Sequence, residues 1–359
     1  MKNRSFLIIS IVVAFLLLYS VYSSGLAKDI PLKISNQMLW EGREICITEI
    51  LRIGSDDFNR ENYIFGSISD IAIDEAGNIF VLDSINSRIQ QYSSDGTYVR
   101  TIGKGKGAGP GEFLRPRSIS LDGHGNIYVA DMNSLRITKF DPKGGVVATI
   151  KTIIQPIEMA IGDDSDVFVT GAFDVGNYKI YKYSGSDGKL EKTFCKEINK
   201  KSEALLIANI GGTGRLYISK EGYIYFSFFY PYLIQKYNQN GDLIAQFSRK
   251  VPFYKLPNLD RSGKIKDVLT GSHEMAALPT GMLIHVIKNI DIANHKVNIY
   301  FDLFDKEGNW LTSFSHKSFN SEWRGKVLSV DSEGSLYLDF WEPFPHIRKF
   351  KLTFPENSQ

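Results

Sequence analysis

The sequence predicts an all-β fold: a six-bladed β-propeller with four antiparallel strands per blade, its ring closed by an N-terminal strand. Three observations point there. The stretch Asp74 to Tyr92, DEAGNIFVLDSINSRIQQY, is written again 48 residues later as DGHGNIYVADMNSLRITKF, Asp122 to Phe140. A fixed period of this size marks a repeat architecture. Each period reads as four short strands parted by Gly- and Asn-bearing turns, and no useful amphipathic helix competes. The 18 tyrosines and 23 phenylalanines among 359 residues favour strands over helices.

In chain order, the first segment stands apart. Lys2 and Arg4 precede an apolar run from Phe6 to Tyr22, and small residues follow at Ser23, Ser24, Gly25 and Ala27. That pattern predicts an export signal over residues 1–27, cleaved after Ala27. The run is about 17 residues, at the lower limit for a bilayer span, so an uncleaved anchor is the alternative. No cysteine sits at the exit, which disfavours a lipid anchor. The remainder is expected in the periplasm or outside the cell, as a propeller over 40–354 and a tail over 355–359.

Next comes REICITEILRIGSDD, a strand with no blade of its own. Blade one follows: SDIAID, IFVLD, RIQQY and TYVRTIG, joined by EAGN, SINS and SSDG. Gly and Asn supply the backbone angles such turns need. An aromatic closes the third strand of every unit: Tyr92, Phe140, Tyr183, Tyr237, Phe304 and Phe350. The sixth unit ends before a fourth strand. The N-terminal strand is predicted to supply it, which removes an exposed sheet edge.

The stretch GPGEFLRPRSISLDGHGNIYVADMNSLRITKFDPKGG resembles an NHL repeat. The pattern is a Gly-rich loop, Phe and Pro, then Asp-x-x-Gly-Asn, Val-x-Asp, Asn, Arg-Ile and Phe-Asp. Blades one and two carry it. Blade three retains only DVFV and YKY, and later blades retain turn glycines and aromatics. The chain is thus similar to bacterial exported six-bladed propellers of that superfamily. Some NHL-like propellers are zinc lyases with channel histidines. Here the six histidines, His124, His273, His285, His295, His316 and His346, are scattered, so neither a metal nor another cofactor is expected.

Forty-two basic against 40 acidic residues leave a net charge of +2. That charge, with export, argues against nucleic-acid binding. Cys46 and Cys195 are expected on outermost strands of opposite blades, too far apart for a disulfide. Asp83 with Arg88, and Asp131 with Arg136, are expected as structural ion pairs across the second hairpin of blades one and two. The loop GKGKGAGPGEFLRPR carries Lys104, Lys106, Arg115 and Arg117. A Gly-rich loop with lysines hints at an anion, but it lacks the Gly-Lys-Ser/Thr ending of a nucleotide loop and reads first as an inter-blade connection, with anion binding as the alternative.

The later blades replace the short second-to-third-strand turns with GAFDVGNYK, FFYPYL and DFWEPFPHIR, and FNSEWRGK leads into blade six. These loops open on one face. They offer Phe173, Asp174, Tyr230, Tyr232, His295, Trp323, Arg324, Trp341, Glu342, Phe344 and His346 as candidate ligand contacts. Clustered aromatics with a few charges suit a glycan or a peptide segment. The competing reading is that these aromatics cap the blades. The expected function is an exported, monomeric binding or scaffold propeller with a protein or glycan partner. The alternative is a lyase or hydrolase with its site at the channel mouth on that face, although no catalytic set is legible.

Overall fold

A computed structural model of the chain describes residues 30–171, 178–196, 214–253, 268–291, 294, 296–316, 319 and 323–354, with side chains omitted at 268–269 and 323–326. Residues 1–29, where the export signal was expected, Phe173, Asp174, His295 and residues 355–359 lie outside the described residues.

Two strands come first, β1 (Leu32–Ser35) and β2 (Cys46–Ile53). Blade one is β3 (Ile68–Ile73), β4 (Ile79–Asp83), β5 (Arg88–Tyr92) and β6 (Tyr98–Ile102). Blade two is β7 (Pro116–Leu121), β8 (Ile127–Asp131), β9 (Arg136–Phe140) and β10 (Val146–Lys151). Blade three is β11 (Pro156–Ile161), β12 (Val167–Gly171), β13 (Tyr178–Tyr183) and β14 (Leu190–Lys196). Blade four is β15 (Arg215–Ile218), β16 (Ile224–Ser227), β17 (Ile234–Tyr237) and β18 (Leu243–Arg249). Blade five is β19 (Val268–Ala277), β20 (Leu283–Asp291), β21 (Lys296–Phe304) and β22 (Trp310–Phe314). Blade six is β23 (Trp323–Val330), β24 (Leu336–Phe340) and β25 (His346–Thr353), and β2 pairs antiparallel with β25 as its fourth strand. The first strands touch in sequence around a closed ring, β3 to β7, β11, β15, β19, β23 and back to β3.

The core lies between blades. The second strands IFVLD, IYVAD, VFVTG and LYLDF are buried along their whole length. Both faces of such a strand meet a neighbouring sheet, so the apolar run is continuous rather than alternating. Phe80, Leu82 and Ile89 of blade one pack on Ile119, Ile127 and Val129 of blade two. The closing aromatics all lie on third strands and are at most 5% exposed.

The Asp-x-x-Gly-Asn motif is the first turn of a blade. Asp74 accepts from the Asn78 backbone N–H and side-chain amide, each at 2.8 Å. Gly77 takes φ +80°, which an L side chain rarely adopts. Asp122, Gly125 and Asn126 repeat this geometry in blade two.

The propeller begins earlier than position 40. Strand β1 adds in parallel to β18 as a fifth strand of blade four. The backbone N–H groups of Leu39 and Trp40 then donate to Trp310 and Leu311 at 3.2 and 2.8 Å, along β22. The chain so straps the rims of blades four, five and six before it closes the ring. LKIS is too short to read as a strand alone; its partners, each 214 residues further along the chain, make it one.

Neither Cys46 nor Cys195 is in a disulfide, and they lie on the outermost strands β2 and β14. Among the described residues no helix is long and apolar enough to cross a membrane.

Candidate functional site at the channel mouth

The first strands carry a β-bulge at one common level. Register shifts fall between Ile68 and Asp70, Pro116 and Ser118, Pro156 and Glu158, Ser272 and Glu274, and Trp323 and Leu328. Bulges re-aim side chains and gather at barrel rims and functional sites. The residue just past each bulge pairs with an equivalent second-strand position: Asp70 with Leu82, Ser118 with Ala130, Glu158 with Thr170, Glu274 with Val286. Blade four has no bulge there, and Arg215 occupies the place, opposite Ser227. In blade six Val327 donates its N–H to Asp339 at 3.0 Å. This level lies at the end of the channel that faces the second-to-third-strand turns.

Asp70, Ser118, Glu158 and Glu274 line a cavity of about 230 Å³ within the channel, with Ser329 and aliphatic neighbours such as Leu216 and Leu328. One water needs roughly 10–15 Å³ of such volume, so a small-molecule group fits. Arg215 bridges blades: its guanidinium meets Glu158 at 2.6 Å and Glu274 at 3.1 Å and also donates to the His273 carbonyl. Asp70 reaches across to blade two and accepts the Ile119 N–H at 2.8 Å. Ser329 of blade six donates to the Ile71 carbonyl. These contacts staple the channel wall.

The charges are enclosed by protein but touch channel space. Burial pushes the Asp70 carboxyl up to about 7, helped by the Glu158 charge and opposed by the N–H groups of Ile119 and Ile71. Burial also raises Glu158, against Arg215 and Arg117. Glu274 is pushed well above the carboxylate range by burial, with Arg215 opposing. Burial works against the Arg215 charge, and Glu158 and Glu274 more than offset it. Protonatable carboxyls beside fixed guanidinium groups can donate and accept hydrogen bonds, or carry a proton. Among the described residues no group of three or more His, Cys, Asp or Glu side chains is placed to hold a metal.

Sequence reasoning missed this ring because its residue types differ from blade to blade. A faint signal exists. Each first strand reads as a ring residue, an aliphatic, then often a small residue: Asp70-Ile71-Ala72, Ser118-Ile119-Ser120, Glu158-Met159-Ala160, Arg215-Leu216-Tyr217, Glu274-Met275-Ala276 and Val327-Leu328-Ser329.

The surface expected from the turns is only partly assembled. Tyr232 is 7% exposed, and its hydroxyl donates to Asp302 at 2.6 Å. Arg249 grips the same carboxylate at 2.6 and 2.8 Å, and His285 Nδ1 lies 3.1 Å from the Tyr232 hydroxyl. Tyr232 therefore caps a buried network between blades four and five instead of facing a ligand. His346 is fully buried, stacked on Phe340 at 5.4 Å, and Arg348 donates to its Nε2 at 2.9 Å. It too is internal. Tyr230, Trp341 and Phe344 are half-buried, and Glu342 is exposed. Trp323 and Arg324 fall on β23.

Asp83 and Asp131 anchor the incoming inter-blade loop. Asp83 accepts from the Gly66 and Ser67 N–H groups at 3.1 Å, and Arg88 lies 3.4 Å away. Asp131 accepts from Leu114 and Arg115 at 2.9 and 2.8 Å. Arg136 departs from the expected ion pair. It donates to the carbonyls of Ala108, Gly109 and Glu112 at 2.6, 3.0 and 2.7 Å, because the glycine loop turns its carbonyls inward there.

Residues 59–331 match the DUF5128 family model, a 6-bladed beta-propeller, and the chain belongs to that family. Among solved structures it is similar to a member of the DUF4221 family from Bacteroides vulgatus, with 13% identity, TM-score 0.63, and 87% of this chain and 99% of that chain covered. A Bacteroides fragilis protein inferred to be exported matches with 13% identity, TM-score 0.62, and 89% and 99% covered. A catalytically inactive virginiamycin B lyase from Staphylococcus aureus, solved with quinupristin, matches with 14% identity, TM-score 0.53, and 88% and 90% covered. Likeness at this identity establishes the fold alone. No curated protein matches the chain.

Proposed function

We propose that this propeller is an exported ligand-binding protein that receives a glycan or peptide segment at the channel mouth, on the face of the second-to-third-strand turns. The carrying observation is the channel cavity bounded at its turn-face end by Asp70, Glu158 and Glu274, with Arg215 bridging the two glutamates there. Ionisable side chains at one level of a channel cost stability to enclose, and recognition is the use that compensates for this. Trp341 and Tyr230 then serve as rim contacts. Export is supported by the charged, apolar and small-residue leader and by likeness to the Bacteroides fragilis protein. Probing glycan and peptide arrays with the mature chain tests the reading: a discrete class of ligands should bind, and silence on both arrays would refute it.

A second reading, catalysis at the same ring, draws on Asp70, whose carboxyl can take or give a proton near neutral pH. Incubating array ligands with the protein and weighing the products decides it. Masses unchanged after long incubation leave binding alone.

A further inference from the structure

We infer that the channel mouth beside blade two takes the carboxylate of an acidic saccharide, with Arg117 as its anchor. This rests on the channel-binding reading and names the ligand class. Arg117 is the residue carried by the blade-two bulge, next to Ser118 of the ring. Its guanidinium lies within electrostatic reach of Glu158, Arg215, Arg115 and Asp70. The two ring arginines differ in one respect. Arg215 is saturated by Glu158, Glu274 and the His273 carbonyl. Arg117 has a buried Nε with no acceptor among the described residues. A buried guanidinium N–H without an acceptor is costly, and the cost falls when a ligand supplies an anionic oxygen.

The approach to Arg117 is basic and rigid. The loop from β6 to β7 crosses the same face from the rim of blade one to the channel, carrying exposed Lys104, Lys106 and Arg115. Its one acid, Glu112, is turned inward onto the Gly109 N–H at 2.7 Å. Arg136 fixes the loop through three carbonyls. Such a basic lead-in draws an anionic group to the mouth. Below it, Asp70, Ser118, Glu158, Glu274 and Ser329 place donors and acceptors among the aliphatic residues that line the cavity of about 230 Å³. A sugar ring, with hydroxyl edges and apolar faces, suits such a mixed lining.

Calorimetric titration of the mature chain with trimers of galacturonate, glucuronate and mannuronate tests this, each beside its fully methyl-esterified form. The ester removes the charge and adds one methyl group. At least one acid should bind at least about 10-fold tighter than its ester, and salt should erode the advantage. Arg117→Met should erase the preference with little change in melting temperature, and Arg117→Lys should restore part of it. Should Arg117→Met not fold, the acid–ester comparison on the native chain decides alone. Equal affinity for acid and ester, a preference surviving in folded Arg117→Met, or binding of triglutamate without any uronate would overturn the inference. Neutral array glycans that bind at the channel without any acid preference would overturn it and leave the channel reading standing. Silence from every array ligand refutes both.

Discussion

Asp70 shows how one residue records its surroundings. Its folded carboxyl titrates at about 7 against an ordinary 3.8, so the folded protein holds a proton that the unfolded chain releases in between. The sign follows: stability is full below the unfolded value and is lost as pH rises through the folded one, on the order of 4 kcal/mol in all. Asp70→Asn removes that dependence, so its urea midpoint should gain on the native protein between about pH 5 and about pH 8. Parallel midpoints would show that Asp70 is not strained by enclosure. Arg215 has the opposite role. Arg215→Met leaves Glu158 and Glu274 enclosed without their cation and should cost about 3–5 kcal/mol. Tyr232→Ala empties a buried site and strips Asp302 of a donor, so denaturant unfolding should show a loss of about 3–5 kcal/mol. A stability unmoved by Tyr232→Ala would return this residue to the ligand surface.

At the scale of elements, the two N-terminal strands differ in what their removal exposes. Without β2, blade six loses its fourth strand, and the edge of β25 opens along eight residues. Deleting Arg43 to Gly54 should yield aggregates or a large fall in melting temperature. A monomer melting at the native temperature would contradict ring closure. Strand β1 adds only four residues to a blade that is already complete. Its loss should cost on the order of 1–2 kcal/mol. The blades were legible because their motif serves the backbone. Asp74 and Gly77 build one turn, Asp83 anchors a loop, and Tyr92 seals a blade, so these types recur wherever the geometry does. Strand β1 was not legible, because four alternating residues are too few to signal a strand and become one only on the edge of β18.

For the whole molecule, the ring sets both the distances between blades and the place of the site. Thiol titration of denatured, unreduced protein should count two, since Cys46 and Cys195 sit on outer strands of blades six and three. Finding none would break the six-fold arrangement. The channel ring was hidden in the sequence for a physical reason: Asp70, Ser118, Glu158, Arg215, Glu274 and Val327 share a position but not a chemistry, and only the closed ring stacks them at one level. On the turn face, Trp341 is half-buried and Tyr232 is withdrawn into the core. The most direct measurement is therefore the affinity of an array-selected ligand for three chains: the native protein, Glu158→Gln in the channel, and Trp341→Ala on the rim. Glu158→Gln keeps the size of the side chain and an acceptor for Arg215, so the fold should persist while affinity shifts by at least about 10-fold, upward for an acidic ligand and downward for a neutral one; affinity unchanged in Glu158→Gln but abolished in Trp341→Ala would put the ligand on the rim and contradict a channel site.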